Sequence, residues 1–294
     1  MDHIIVGTDG SDCAARAVRW AARESEIRSC TLTVIMVWDY LNQHHPDGST
    51  RFDPEFDAVK AASALDTYVS KAVGAERAAS IDKQLVFDLA ARGLLEAAQT
   101  ATLLVLGARG LGGFKELLVG SVTQRCLREA ACPVAVVHDA SDESTAEHGR
   151  IVVGVDGSKY GQAALKWAAR EASLRHAKLR VVHAFRAASV DISFLPEPVS
   201  IEQIGHKEGR AVLESAVMSA KLPDSLDVEL LPETGSPAKA LLEASIDADL
   251  IVVGRVGRSL LRGLTFGSVA TQISHHSKVP AVLVNRTEGP VLIG

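Results

Sequence analysis

Gly107-Ala108-Arg109-Gly110, nine further residues and then Gly120-Ser121 form the part of this sequence best suited to chemistry. Gly254-Arg255-Val256-Gly257, nine residues and Gly267-Ser268 repeat the same spacing later in the chain. Glycines accept positive φ and let a ligand come close to the backbone. Successive exposed N–H groups ahead of a helix N-terminus cradle a phosphate, and each serine adds a hydroxyl donor. The alternative is a glycine-rich turn that only joins strand to helix, but two loops of identical spacing favour phosphate binding. Asp9 and Asp156 carry the second kind of chemistry, each following the first apolar run of its half. In a doubly wound sheet, ligands sit beyond the carboxyl ends of the strands, where a carboxylate could accept hydrogen bonds from ribose hydroxyls. Equally, each aspartate could organise the turn ahead of Ser11 or Ser158, both of which read as helix N-caps.

Other chemistries find little support. There is no P-loop lysine motif, and no GxGxxG follows a strand with an acidic residue about 20 positions on. No Ser–His–Asp or Cys–His arrangement stands out as catalytic. His44, His45 and Asp47 share one short polar loop without further spaced ligands, which reads as solvated surface rather than a metal site. His275 and His276 fall on the last helical stretch, where a structural role is expected. Cys13 lies near a helix start, which can lower a thiol pKa, but a packing role is the default. The four cysteines form no CxxC pair, which points to a reduced, cytoplasmic setting. A net charge of −5 disfavours a general nucleic-acid binder. No apolar run is long enough to span a membrane, and the start MDHIIVGTDGS does not read as a signal peptide.

The elements that must position these residues come in two copies. The chain has 294 residues, and its blocks recur at half that length, an offset of 147. Gly7-Thr8-Asp9-Gly10-Ser11 falls on Gly154-Val155-Asp156-Gly157-Ser158, and Trp20-Ala21-Ala22-Arg23-Glu24 on Trp167-Ala168-Ala169-Arg170-Glu171. Leu94-Leu95-Glu96-Ala97 and Gly120-Ser121-Val122 recur in the same register as Leu241-Leu242-Glu243-Ala244 and Gly267-Ser268-Val269. Two domains are expected, 1–140 and 149–294, joined by an acidic, small-residue stretch near 139–148. In the first copy, strands are expected at 3–6, 32–38, 84–87, 103–106 and 134–137, and helices at 13–27, 55–73, 93–100 and 117–129. In the second copy, strands are expected at 151–153, 179–183, 228–231, 250–253 and 281–284, with the first helix at 163–174. Apolar residues are 47% of the chain and aromatics only 4%, so the cores are built of Ala, Val, Leu and Ile. Continuous apolar strands suit a parallel sheet buried on both faces, and strand–helix alternation suits right-handed crossovers.

The glycine loop, together with an early strand ending in V-G-x-D-G-S, resembles the universal stress protein family, and the resemblance covers nearly the whole chain as a tandem pair. It implies two Rossmann-like α/β domains of the adenine nucleotide alpha hydrolase-like kind, each an open five-stranded parallel sheet of order 3-2-1-4-5. It further implies an adenine nucleotide ligand, ATP, with magnesium as an optional companion. By position, Asp9 would hold the ribose, and Gly107, Arg109, Gly110, Gly120, Ser121 and Val122 would wrap the phosphates and ribose. Val37 would meet the adenine through its backbone, and Gly7 would let the ligand lie close to the first strand. The corresponding residues of the second copy are Asp156, Gly254, Gly257, Gly267, Ser268, Val269, Ala184 and Gly154. The copies diverge: the first loop continues Leu111-Gly112-Gly113-Phe114, the second Arg258-Ser259-Leu260-Leu261, and Val256 replaces Arg109. Only the second keeps Gly235-Ser236-Pro237 before its third helix. The resemblance also implies antiparallel pairing of the two fifth strands about a pseudo-twofold axis within the chain, with a homodimer beyond it. The leading functional expectation is a stress-response or growth regulator that uses ATP as ligand rather than fuel. The alternatives are a slow ATPase or nucleotidyl-transfer enzyme, and an interaction module without nucleotide.

Overall fold

The computed structural model describes residues 2–111, 118–138, 148–185, 201–257 and 266–285, with 201–204 as backbone only. The loop residues 112–114 and 258–261 and most of the joint at 139–148 lie outside them. The chain divides into two compact units. The first runs β1 (His3–Gly7), α1 (Asp12–Arg28), β2 (Thr31–Trp38), α2 (Ala58–Val73), α3 (Ala75–Ala79), β3 (Asp82–Phe87), α4 (Ala90–Ala97), β4 (Leu103–Gly107), α5 (Ser121–Glu129) and β5 (Val134–Val137). The second runs β6 (Arg150–Gly154), α6 (Lys159–Arg175), β7 (Lys178–Phe185), α7 (Ile201–Ala220), β8 (Val228–Thr234), α8 (Pro237–Ala244), β9 (Leu250–Gly254), α9 (Ser268–His276) and β10 (Ala281–Val284). Within the first unit the parallel strands lie in the order β3-β2-β1-β4-β5, and within the second β8-β7-β6-β9-β10. Both are the 3-2-1-4-5 order that the family resemblance implies.

Apolar continuity explains the strand order. Every residue of β4 is buried, as are the last four of β1, because helices cover both faces of these central strands. β3 and β8 are more exposed and more polar, and β8 tolerates Pro232 because a strand at the margin of the order has one side without a ladder. Ser11 and Ser158 cap α1 and α6 as expected, accepting the N–H of Ala14 at 3.2 Å and of Gly161 at 3.0 Å. Small residues such as Ala17, Ala21 and Ala22 form the sheet-facing side of α1, and Ala164, Ala168 and Ala172 do so in α6.

Several boundaries move for local reasons. α2 begins at Ala58 rather than 55, because Asp57 caps it by accepting the Lys60 N–H at 2.9 Å. α4 covers Ala90–Ala97 rather than 93–100, and α5 starts at Ser121, with Gly120 as an extended N-cap. α3 has no counterpart in the expected elements, and α7, α8 and α9 take the places of the second-copy helices for which the sequence sets no bounds. Two glycines of α7 make room for an aromatic ring, since a Cβ on Gly205 or Gly209 would crowd Phe185. A tertiary contact there outweighs a poor helix propensity.

One close approach recurs in both units. β4 ends at Gly107, where a Cβ would stand 2.8 Å from the carbonyl carbon of Cys13 and 3.0 Å from the Ala14 nitrogen. β9 ends at Gly254, where a Cβ would stand 2.8 Å from the carbonyl carbon of Tyr160. The obstacle is helix backbone, which cannot rotate aside as a side chain would. Gly107→Ala and Gly254→Ala are each expected to destabilise the protein by about 1–3 kcal/mol, the usual cost of overpacking, measured by denaturant titration. No disulfide is present, and Cys13, Cys126 and Cys132 are buried while Cys30 is half-buried. Burial pushes the Cys126 thiol up to about 12 and Cys132 to about 11. At pH 8 both stay protonated and inert, so a thiol reagent is expected to modify Cys30 in the native protein and the buried three only in denaturant. Mass spectrometry reads the difference.

Candidate functional site

In the second unit, the chain leaves β6 through Val155 and turns at Gly157, where φ is 76°. This turn aims Asp156 across the carboxyl ends of β6 and β9. Its Oδ1 accepts the Ser158 N–H at 3.0 Å, so the aspartate does organise the turn. It also faces the glycine loop, since a Cβ on Gly257 would stand 3.1 Å from Asp156 Oδ2. The two readings of the aspartate are thus compatible: one oxygen braces the helix start and the other looks toward the loop.

Gly154, Asp156, Ala184, Gly254, Gly257, Gly267, Ser268 and Val269 all line one cleft of about 400 Å³. The structure therefore brings together every second-repeat candidate. Two helices begin at this cleft. α9 starts from Gly267 with no side-chain cap, so the N–H groups of its first turn have no intrahelical acceptor. α8 starts from Ser236, whose hydroxyl makes no capping bond and which lines the same cleft. Their dipoles place partial positive charge opposite the Asp156 carboxylate, the one ionisable side chain among the described lining residues. Anionic groups are favoured near α8 and α9, and hydrogen-bond donors near Asp156. Ser236, Leu241 and Gln272 also line the cleft but were not among the candidate residues. Gly235-Ser236-Pro237 was a readable signal, as a helix start after a strand, and Gln272 lies one helical turn beyond Ser268. Gly154 serves packing as well, since a Cβ there would meet Leu241 Cδ1 at 2.8 Å.

The first unit builds a related arrangement. Asp9 Oδ1 accepts the Ser11 N–H at 3.0 Å and Oδ2 the Leu111 N–H at 2.8 Å. A Cβ on Gly110 would run into Asp9 Oδ2, so a side chain there would push the carboxylate out of its place. The Gly120 N–H bonds the Ala108 carbonyl at 2.8 Å, folding the end of the loop back and presenting Ser121 and Val122 as the first turn of α5. The Arg109 carbonyl accepts the Ser11 hydroxyl at 3.5 Å. Val37 is buried, with its side chain beneath Gly93 of α4, and a Cβ on Gly7 would stand 2.9 Å from side-chain carbons of Leu94 and Leu106.

The loop with His44, His45 and Asp47 departs from the expected solvated surface. Gln43 and His45 are only 2% and 4% exposed. The Gln43 side chain accepts the Asp53 N–H and donates to the Tyr40 and Asp53 carbonyls. His45 Nε2 lies 3.1 Å from the Arg51 carbonyl, and its ring meets Phe56 edge-on. The Tyr68 hydroxyl donates to the His45 carbonyl at 2.5 Å. Its ring lies against Gly10, where a Cβ would stand 2.3 Å from Cζ. Burial, with the charges of Asp9 and Asp47 adding to it, pushes the Tyr68 hydroxyl up to about 12. Burial also pushes the His44 imidazole down, against the pull of Asp9 and Asp39. Among the described residues no group of three or more His, Cys, Asp or Glu is placed to hold a metal ion. His275 and His276 close α9, where burial lowers the His275 pKa, and neither is among the residues lining the cleft. The Cys13 thiol donates to the Val137 carbonyl at 3.7 Å, as a packed residue. Among the described residues no helix is long and apolar enough to cross a membrane.

Comparison with known proteins bears on the family and the fold. The model of the universal stress protein family matches residues 1–138 and again 147–285. A universal stress protein of Mycobacterium tuberculosis is 31% identical over 295 aligned residues, covering 97% of both chains. One from Mycolicibacterium smegmatis is 30% identical over 289, covering 96% of both. The crystal structure of a universal stress protein from Archaeoglobus fulgidus shares the fold, with a TM-score of 0.68 at 19% identity over 98% of this chain and 97% of that one. With a family match on each of its repeats and relatives aligned over almost its full length, this chain belongs to the universal stress protein family.

Proposed function

We propose that this protein is an adenine-nucleotide-responsive regulator in stress response or growth control, binding ATP as a ligand at up to one site per repeat. The observation that supports this most is the second-repeat cleft, where one carboxylate faces two helix N-termini across about 400 Å³. That volume lies within the roughly 300–1,000 Å³ usual for small-ligand sites. Asp156 would accept hydrogen bonds from ribose hydroxyls. The first turn of α9 and the Ser268 hydroxyl would hold phosphate oxygens. The backbone of Ala184 would meet the adenine edge, with Leu241 against the apolar ring. Asp9, Val37, Gly110, Ser121 and Val122 would do the same work in the first repeat. A magnesium ion fits only as a passenger on the phosphates, because Asp156 is the one carboxylate among the described lining residues. Holding the nucleotide without hydrolysing it, or hydrolysing it only slowly, suits a ligand role in the cytoplasm. Pairing of the domains 1–140 and 149–294 through their fifth strands, and a homodimer of the whole chain, belong to the same proposal.

Calorimetric titration of ATP into the whole chain is expected to give at most two molecules per chain. Asp156→Ala should weaken the second-repeat site about tenfold or more, as for loss of a hydrogen bond to a charged group. These aspartates are cleaner probes than Gly107 or Gly254, whose replacement strains the helix backbone. Unchanged affinity and stoichiometry in a chain carrying both Asp9→Ala and Asp156→Ala would overturn the proposal. For the pairing, scattering from the whole chain is compared with separately expressed halves. Halves that stay monomeric and do not bind each other would remove that part.

A further inference from the structure

The third residue of the helix that follows the aspartate turn differs between the repeats: Ala14 in α1, Gly161 in α6. The surrounding backbone is alike, because each N–H donates to the oxygen of its N-cap serine, at 3.2 Å from Ala14 and 3.0 Å from Gly161. Glycine is among the poorest helix formers, so its presence in this first turn calls for a local reason. The structure offers one. A Cβ on Gly161 would stand 2.8 Å from Asp156 Oδ1 and 3.2 Å from the Asp156 nitrogen. The carboxylate thus rests in space that the side chain of Gly161 would otherwise fill, and Gly161 itself lines the cleft. In the first repeat the methyl of Ala14 is buried at 4% exposure in the corresponding place. Both aspartates hold Oδ1 on the N–H two residues on at 3.0 Å, but Asp9 Oδ2, which accepts the Leu111 N–H, lies closer to a Cβ on Gly110 than Asp156 Oδ2 lies to one on Gly257, at 3.1 Å.

We propose that Gly161 is a positioning residue, one that seats the Asp156 carboxylate back against α6 and so makes the second repeat the better holder of a ribose. Beside Ala14, Asp9 keeps its bond to the Ser11 N–H at 3.0 Å, and its Oδ2 is engaged by the Leu111 N–H of the glycine loop at 2.8 Å. The difference rests on the nucleotide reading given above and adds to it an order of affinity between the repeats and the residue that sets it. Because the displaced atom is the tip of a side chain, Gly161→Ala moves the carboxylate while leaving the helix its favoured alanine.

The test uses the whole chain with ATP and 2′,3′-dideoxy-ATP as paired probes. An Asp9→Ala background isolates the second repeat, and an Asp156→Ala background isolates the first. Adding Gly161→Ala to the former should weaken ATP about tenfold, while leaving the dideoxy nucleotide within about twofold. Adding Ala14→Gly to the latter should strengthen ATP alone, a reading that also holds if Gly161→Ala fails to fold. Equal losses for both nucleotides, or no change for either, would overturn the inference. A wild-type chain that binds neither nucleotide would overturn the nucleotide reading itself, a result distinct from a bound chain that ignores Gly161.

Discussion

The absence of one methyl group at the end of a strand organises each half of this molecule. Gly107 and Gly254 let the first turn of α1 and α6 lie directly on β4 and β9, backbone against backbone. That approach fixes where Ser11 and Ser158 start their helices, and hence where the preceding aspartate turn must bend. It also ends the strand close beneath that turn, so the loop leaving the strand passes in front of the carboxylate. Gly110 and Gly257 are the next consequence, since any side chain there would crowd the aspartate oxygen. The glycine pattern therefore records two tight packings before it records any ligand.

Electrostatics completes what packing begins. In the second repeat a single carboxylate stands among backbone amides rather than among basic side chains in the described lining. Aligned peptide dipoles at α8 and α9 supply the opposing partial charge without long, flexible cations to order. The donors of this cleft are already held by helices anchored to a buried sheet. The first repeat has moved in another direction. The Gln43 and His45 loop folds inward, and Tyr68 closes over Gly10, so its aspartate turn lies beneath an aromatic cover.

Much of this was legible in the residues. The recurrence at half length, the buried apolar strands, the serine caps and the cleft-lining glycines are local or periodic features, and sequence carries those directly. What escaped notice depends on partners distant in the chain. The bounds of α7 are not legible from propensity, because Gly205 and Gly209 answer to the Phe185 ring. The polar loop of His45 looked solvent-exposed because its burial comes from Tyr68 and Phe56, outside its own sequence window. Gln272 reaches the cleft from one turn into α9, and no motif records it, whereas Ser236 could have been read from Gly235-Ser236-Pro237.

The placing of β1 in the middle of its sheet carries a consequence for how the chain comes to be folded. Ile4 pairs with Leu103, and Ile151 with Leu250, so each central strand gains its second neighbour only 99 residues later. Synthesis at about 5–20 residues per second leaves a nascent β1, paired with β2 at Leu32, without its second neighbour for roughly 4–14 s. During that interval its apolar edge depends on β2 alone, and closing the distant pairing is the slow, entropically costly step. Each half thus passes through a period on the ribosome when holding partners at bay matters as much as finding the native one.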